Sequence, residues 1–263
     1  MSTTYEVLAI RYGTRPTTRA QTFLNHHVYR EPDTPIDLDF FLWVARNDER
    51  TVVIDTGYTA ASAVNRMPRL ELADPIGTLA ELGVKPEASP QVIITHAHYD
   101  HLGNLDAFPS SEVVLARAEY DFWTGPYATR PQFACTTEEV ELAHLRQVAA
   151  EGRITFVERS TQVAPGVEVI PVGGHTPGQL VVRVATATGH AVLASDAAHF
   201  YEEVELDRPF TYITDLEDTY RAYELLREMT AEPGEVLVAG HDRDVMRRFP
   251  PLPGAGDQVV RIG

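Results

Sequence analysis

A chain of 263 residues has the length of one large domain or two small ones, and its apolar content is that of an ordinary globular protein. Its formal net charge of −16 argues against a nucleic-acid partner, because phosphate binding needs clustered Lys and Arg. No run approaches the roughly 20 apolar residues that cross a bilayer, Met1–Glu6 lacks the basic flank and apolar core of a signal peptide, and the single Cys135 excludes an internal disulfide. These features suit a cytoplasmic enzyme without a membrane partner.

Tyr5–Tyr12 reads as a strand. Gly13–Asp39, rich in Thr, Pro and polar residues, reads as a long irregular N-terminal loop, and ordered loops of that length are usually functional. Within it Phe23, Leu24, His26, His27 and Tyr29 can cover a substrate, and the loop is also a natural interface for a homodimer. Phe40–Arg46 and Thr51–Ile54 flank Asn47-Asp48-Glu49 as a hairpin. Asp74-Pro75 has the form of an N-cap with proline in the first turn, and Gly83 stands where that helix would stop. Gln91–Thr95 and Val113–Ala116 read as buried strands. A helical insert occupies about 113–152, with one helix over Arg117–Trp123 and a second opened by Thr136 and Glu139 at capping-box spacing and ending near Gly152. Strands follow at Ile154–Val157, Val167–Pro171, Leu180–Ala185 and His190–Ala194, then a helix from about Leu216 to Thr230 and a last strand, Val236–Ala239. Strands in two regions, with helices interspersed or following, fit two sheets packed face to face with helices outside.

Directly after Gln91–Thr95 comes His96-Ala97-His98-Tyr99-Asp100-His101, four ligand-type side chains in six residues. In an extended segment residues i and i+2 point the same way, so His96 and His98 can reach one metal ion. Once the chain turns, Asp100 and His101 can face a second. A helix N-terminus rich in polar caps would account for Asp100 but not for three crowded imidazoles. Three further ligand-type residues sit at the ends of predicted core strands, where rigid elements can aim them. These are His175 in Gly173-Gly174-His175-Thr176-Pro177-Gly178, Asp196 after Ala191–Ala194, and His241 after Val236–Ala239.

H-x-H-x-D-H, then Gly-His-Thr-Pro-Gly, Ser-Asp and Gly-His, preceded by Asp55-Thr56-Gly57, resembles the ordered signature of the metallo-β-lactamase superfamily. The resemblance runs from Asp55 to His241. It implies one α/β domain over 1–263, an αββα sandwich of two mixed β-sheets flanked by helices, with two divalent metal ions at one edge of the sheets. It further implies that His96, His98 and His175 hold the first ion, that Asp100, His101 and His241 hold the second, that Asp196 bridges both, and that Asp55 orients a metal-bound imidazole from behind. Five imidazoles and two carboxylates suit Zn²⁺, with iron, manganese and cobalt also compatible with the ligand types. Water on such an ion has its pKa lowered to about 7, so a hydrolase using a metal-bridging hydroxide is expected, with Asp100 and Asp196 in the catalytic centre.

Aspartate at the bridging position, the chain length, the N-terminal loop and the insert resemble the N-acyl-homoserine lactonases and related quorum-quenching small-lactone hydrolases. In those relatives a tyrosine three residues after the bridging aspartate bonds the substrate carbonyl. Here that position is His199, so either His199 or Tyr201 would supply the hydrogen bond. Other readings of the scaffold are a thioester or other ester hydrolase of the glyoxalase II type, for which the basic C-terminal segment is not seen, and a mononuclear iron sulfur dioxygenase. Diiron electron-transfer relatives carry Glu where this chain has His98. Cys135 is expected to be incidental and distant from the ligands.

Overall fold

Strands that are covered on both faces must be apolar at consecutive positions rather than at alternate ones, and the first strands of this chain are of that kind. The structure, a computed structural model, describes residues 3–65, 70–71, 73–88 and 90–263. Its strands are β1 (Glu6–Thr18), β2 (Pro35–Arg46), β3 (Thr51–Ile54), β4 (Leu70–Glu71), β5 (Gln91–Ile93), β6 (Val113–Ala116), β7 (Ile154–Val157), β8 (Thr161–Ala164), β9 (Val167–Pro171), β10 (Leu180–Ala185), β11 (His190–Ser195), β12 (Glu235–Ala239) and β13 (Val259–Arg261). One sheet has the order β13-β1-β2-β3-β5-β6-β7, with β4 added beside β1, and the other the order β12-β11-β10-β9-β8. Both are mixed: β3, β5, β6 and β7 run parallel, as do β11 and β12, and the remaining pairs are antiparallel.

Alternation along each strand divides the apolar residues between two layers. Val7, Ala9, Phe41, Trp43, Ile54 and Ile93 of the first sheet meet Val169, Leu180, Val182, Leu193 and Val238 of the second in one buried cluster. Their neighbours Leu8, Ile10, Phe40, Leu42, Val53 and Val92 turn outward beneath Leu79, Trp123, Leu142 and Leu145 from the helices Pro75–Glu81, Arg117–Trp123 and Glu139–Ala150. On the far side, Val181, Val192 and Ala194 pack on Ala222, Tyr223 and Leu226 of the helix Leu216–Met229. The result is the expected αββα sandwich. Among the described residues, no helix is long and apolar enough to cross a membrane.

Most strand and helix expectations hold to within a residue or two, and Asp74 caps its helix by accepting from Ile76 N at 3.1 Å. The segment Gly13–Asp39 requires correction. β1 continues to Thr18 after a register shift between Arg11 and Gly13, and β2 already begins at Pro35, so the two form a long hairpin arm in which Arg15 pairs with Leu38. Thr and Pro of residues 13–18 and 35–39 occupy a paired, strand-forming ribbon, while the tip, residues 19–34, stays largely irregular around the short helical turns Arg19–Thr22 and His26–Tyr29. The second insert helix is capped at Glu138, with no side-chain cap bond. Thr136 instead donates to Phe133 O at 2.8 Å.

Trp43 is fully buried at the centre of the inter-sheet layer. Trp43→Ala should cost about 3–5 kcal/mol through the cavity it leaves. Urea unfolding in the presence of chelator, which removes metal linkage from the comparison, measures that loss.

Candidate metal centre

Every predicted ligand lies at one edge of the sandwich, on the turn that follows a strand, and all are buried. His96 and His98 follow β5, and Asp100 and His101 occupy the single helical turn Tyr99–Leu102. His175 lies between β9 and β10, Asp196 directly follows β11, and His241 follows β12. Their donor atoms form two groups, His96, His98, His175 and Asp196 in one and Asp100, His101 and His241 in the other, each within 4.8 Å. Asp196 faces both: its Oδ2 lies 3.3 Å from His175 Nε2 and 3.7 Å from His96 Nε2, and its Oδ1 lies 3.0 Å from His241 Nε2 and 3.2 Å from His101 Nε2. His98 presents Nδ1, 3.0 Å from His175 Nε2.

The ring nitrogens that do not face the cluster are held from behind. His101 Nδ1 meets Asp55 Oδ2 at 2.7 Å, His175 Nδ1 donates to Tyr212 O at 2.7 Å, and His241 Nδ1 donates to Asp39 O at 2.6 Å. Asp55 also accepts from Thr95 N and Thr95 Oγ1, both at 2.8 Å, so the expected position behind an imidazole is where the structure places it. By contrast, His96 Nε2 and His101 Nε2 are buried and lack a hydrogen bond. Buried polar atoms are almost always satisfied, and imidazole and carboxylate donors converging in two adjacent groups are what divalent metal ions require. The residues fit two ions.

Electrostatics separate the histidines. Burial pushes His96 and His98 well below the ordinary imidazole range, aided by the neighbouring imidazoles, and takes His175 down to about 3. These three rings are neutral, as a metal ligand must be. For His101 burial works in the same direction, but Asp196, Asp55 and Asp100 outweigh it and raise the ring well above its usual value. His199 is similarly lifted to about 9, burial being overcome by Asp196 and Glu203.

His199 Nε2 lies 2.9 Å from Asp196 Oδ2 and its Nδ1 3.3 Å from Glu203 Oε1, with Phe210 stacked on the ring at a centroid distance of 3.6 Å. It lines the cavity above the metal groups. Tyr201 does not: its ring packs in the inter-sheet cluster beneath Arg248, 3.5 Å from the guanidinium carbon. Tyr201 opens the helix Tyr201–Leu206, which turns it away from the site and leaves His199 as the cavity donor. The cavity, about 360 Å³, also has Arg15, Leu38, Phe40, Tyr99, Cys135 and Thr136 in its wall. Cys135 is therefore adjacent to the site and not distant from it, whereas Phe23, Leu24, His26, His27 and Tyr29 are absent from this wall.

One functional residue had no signal in the sequence. Glu119, fully buried on the insert helix, accepts from Ala97 N at 2.8 Å and Trp123 Nε1 at 2.7 Å through Oε1, and from Gly178 N at 2.9 Å through Oε2. It ties the His96–His98 turn to the His175 turn. Burial raises its carboxyl pKa, and its N–H donors oppose the rise. Gly178 has to be glycine here, because a Cβ would stand 2.3 Å from Glu119 N.

An αββα sandwich with histidine and aspartate turns gathered at one edge defines a class. Residues 41–241 match the family model of the Metallo-beta-lactamase superfamily, and the chain belongs to that superfamily. It is 26% identical over 225 residues to an N-acyl homoserine lactonase of Bacillus cereus, with 80% of this chain and 84% of that protein covered. It is likewise 26% identical over 241 residues to the N-acyl homoserine lactonase AiiB of Agrobacterium fabrum, covering 80% of this chain and 81% of that one. A crystal structure of a quorum-quenching N-acyl homoserine lactone lactonase superposes with a TM-score of 0.78 at 21% identity, over 96% of this chain and 99% of that one. The dizinc quorum-quenching lactonase AidC gives 0.70 at 16% identity, over 91% and 88%.

Glu119→Gln turns an amide N–H toward backbone donors and should weaken metal binding about 10- to 100-fold; competition with a chromophoric chelator measures it, with circular dichroism confirming the fold. Loading the metal-free protein at pH 7.5 should release at least one proton, that of His101, because the ring must be neutral to bind an ion, with any proton lost by ion-bound water adding to it. Calorimetric titrations in buffers of different ionisation enthalpy count the protons.

Proposed function

We propose that this protein is a metal-dependent hydrolase that opens the ring of a small lactone, using two divalent ions, with Zn²⁺ the first candidate. The observation that carries the reading is Asp196, whose two oxygens are divided between two adjacent donor groups beneath a partly apolar cavity. The lactonase relatives, which align over four-fifths of the chain, support lactones as the substrate class. Bound there, the two ions would supply hydroxide at neutral pH and a Lewis acid for the carbonyl.

The chain's own residues do the rest. His96, His98 and His175 would hold one ion and Asp100, His101 and His241 the other, with Asp196 shared between the two groups. His199, fixed by Glu203 and Phe210, donates its Nε2–H to the carbonyl oxygen as negative charge grows there, the part an oxyanion donor takes. Asp100, at the cavity wall, would accept the proton of the added hydroxyl as the carboxylate forms and pass it to the ring oxygen as the C–O bond breaks. The product is an open-chain hydroxy acid. Asp55 and Glu119 act through the residues they position.

Metal-replete protein should release protons from lactones, tested over N-acyl homoserine lactones and both neutral and anionic small lactones. Asp196→Ala should abolish turnover together with tight metal binding. His199→Ala should lower kcat about 10²–10³-fold, compared at equal metal content because His199 also lies beside Asp196. No release from any lactone, with turnover of thioesters instead, would replace this reading by thioester hydrolysis.

A further inference from the structure

The hairpin arm of β1 and β2 brings a basic residue into the wall of the metal cavity. Arg15 lies on β1 beside Leu38, one residue before Asp39, whose carbonyl holds His241. Its side chain is half-buried, and its Nε is buried with no hydrogen bond. Arg183 Nε is also buried without a hydrogen bond, but what sets Arg15 apart, in a chain with 38 acidic and 22 basic residues, is that it has no carboxylate partner. Each of the other half-buried arginines among the described residues has a carboxylate partner: Arg11, Arg19, Arg46, Arg50, Arg117, Arg146, Arg153, Arg183 and Arg208. The described arginines that lack one, apart from Arg15, are exposed to water.

The Nε of Arg15 is withdrawn from water without a partner, which is costly, and the guanidinium's fork of donors is shaped for a carboxylate. The acidic groups in the same wall, Asp100 and Asp196, are the ones that the metal ions would take up. They leave Arg15 unneutralised. Leu38, Phe40 and Phe210 supply apolar surface in the same wall, and among its residues Arg15 is the one arginine or lysine.

We infer that Arg15 is a specificity residue that binds a carboxylate on the substrate, so that the lactone opened here is an anion and not a neutral amide-bearing ring. The inference rests on the lactone-opening reading and narrows its substrate class. The carboxylate is not the reacting group. It anchors the ring by one end while the ester carbonyl lies under His199.

A matched pair tests this: 5-oxotetrahydrofuran-2-carboxylate and its primary amide, which differ in charge and little in size. The metal-loaded protein should favour the carboxylate in kcat/KM by about 10- to 100-fold, the value of one charge-assisted hydrogen-bonded contact. Arg15→Met should erase that preference by raising KM for the carboxylate, with kcat and the amide reaction within about threefold of the parent. Arg15→Lys should retain part of it. Glutarate, which cannot turn over, gives a second readout, and its calorimetric affinity should fall by a similar factor in Arg15→Met at unchanged metal content. Equal turnover of the two lactones, or an equal loss on both in Arg15→Met, would overturn the inference. Arg15-dependent glutarate binding without turnover of either lactone would uphold the anion site and remove the lactone-opening reading beneath it.

Discussion

The arrangement depends on one buried carboxylate. His96 lies 4.5 Å from His98, 4.1 Å from His101 and 4.9 Å from His175 between ring centroids. Imidazoles packed this tightly out of water have no intrinsic reason to stay together. Asp196 gives them one, since each of its oxygens faces a different group of rings. Burial opposes its charge, yet His199, His241 and His101 hold its pKa well below the usual carboxylate range. To reach that place the chain leaves β11 through Ser195 in the left-handed region, at φ 47°. Gly240 makes room on the other side, because a Cβ there would stand 2.4 Å from Ser195 O. Local strain concentrated at a site is sustained only when surrounding structure over-determines it.

The surrounding structure is a polar seam between the two sheets. Thr95, after β5, gives its hydroxyl to Asp55 Oδ2 at 2.8 Å and lies 2.8 Å from Ser195 Oγ, at the end of β11. Asp55, itself at φ 62°, carries this seam to His101. Glu119 makes the corresponding link from the insert helix to the His96–His98 and His175 turns. The apolar layer between the sheets thus ends in hydrogen bonds whose partners are the residues that position the ligands. Any ion bound to this framework adds its binding free energy to the folded state, so metal loading and stability are coupled through the same contacts.

What could be read from the sequence follows from how local each signal is. H-x-H-x-D-H is legible because one strand end and one helical turn place all four side chains. His175, Asp196 and His241 are legible because each terminates an apolar run, and strand ends are where rigid elements deliver side chains. Glu119 was not legible: a glutamate on a short helix looks solvated until tertiary packing closes over it. Arg15 was hidden for a different reason. Gly13–Asp39 has the composition of a loop, and only the pairing of β1 with β2 past the irregularity at Arg11–Gly13 makes it a strand that aims Arg15 inward. Thr136 failed as a cap because its hydroxyl was taken by Phe133 O, one turn back.

These differences divide the molecule's chemistry between two kinds of element. The ligands and the residues behind them come from strand ends tied into both sheets, so a change there alters the reaction itself. The cavity wall comes from the β1–β2 arm, from the insert at Cys135 and Thr136, and from Phe210 and Tyr212, none of which contributes a predicted ligand. A shift of side chain in that wall alters what is admitted and leaves the metal groups intact. Placing the one half-buried arginine without a carboxylate partner among the described residues on the arm rather than on a ligand turn fits that division. The arm can acquire or lose a charge without disturbing Asp196, and substrate selection is thereby separable from bond cleavage.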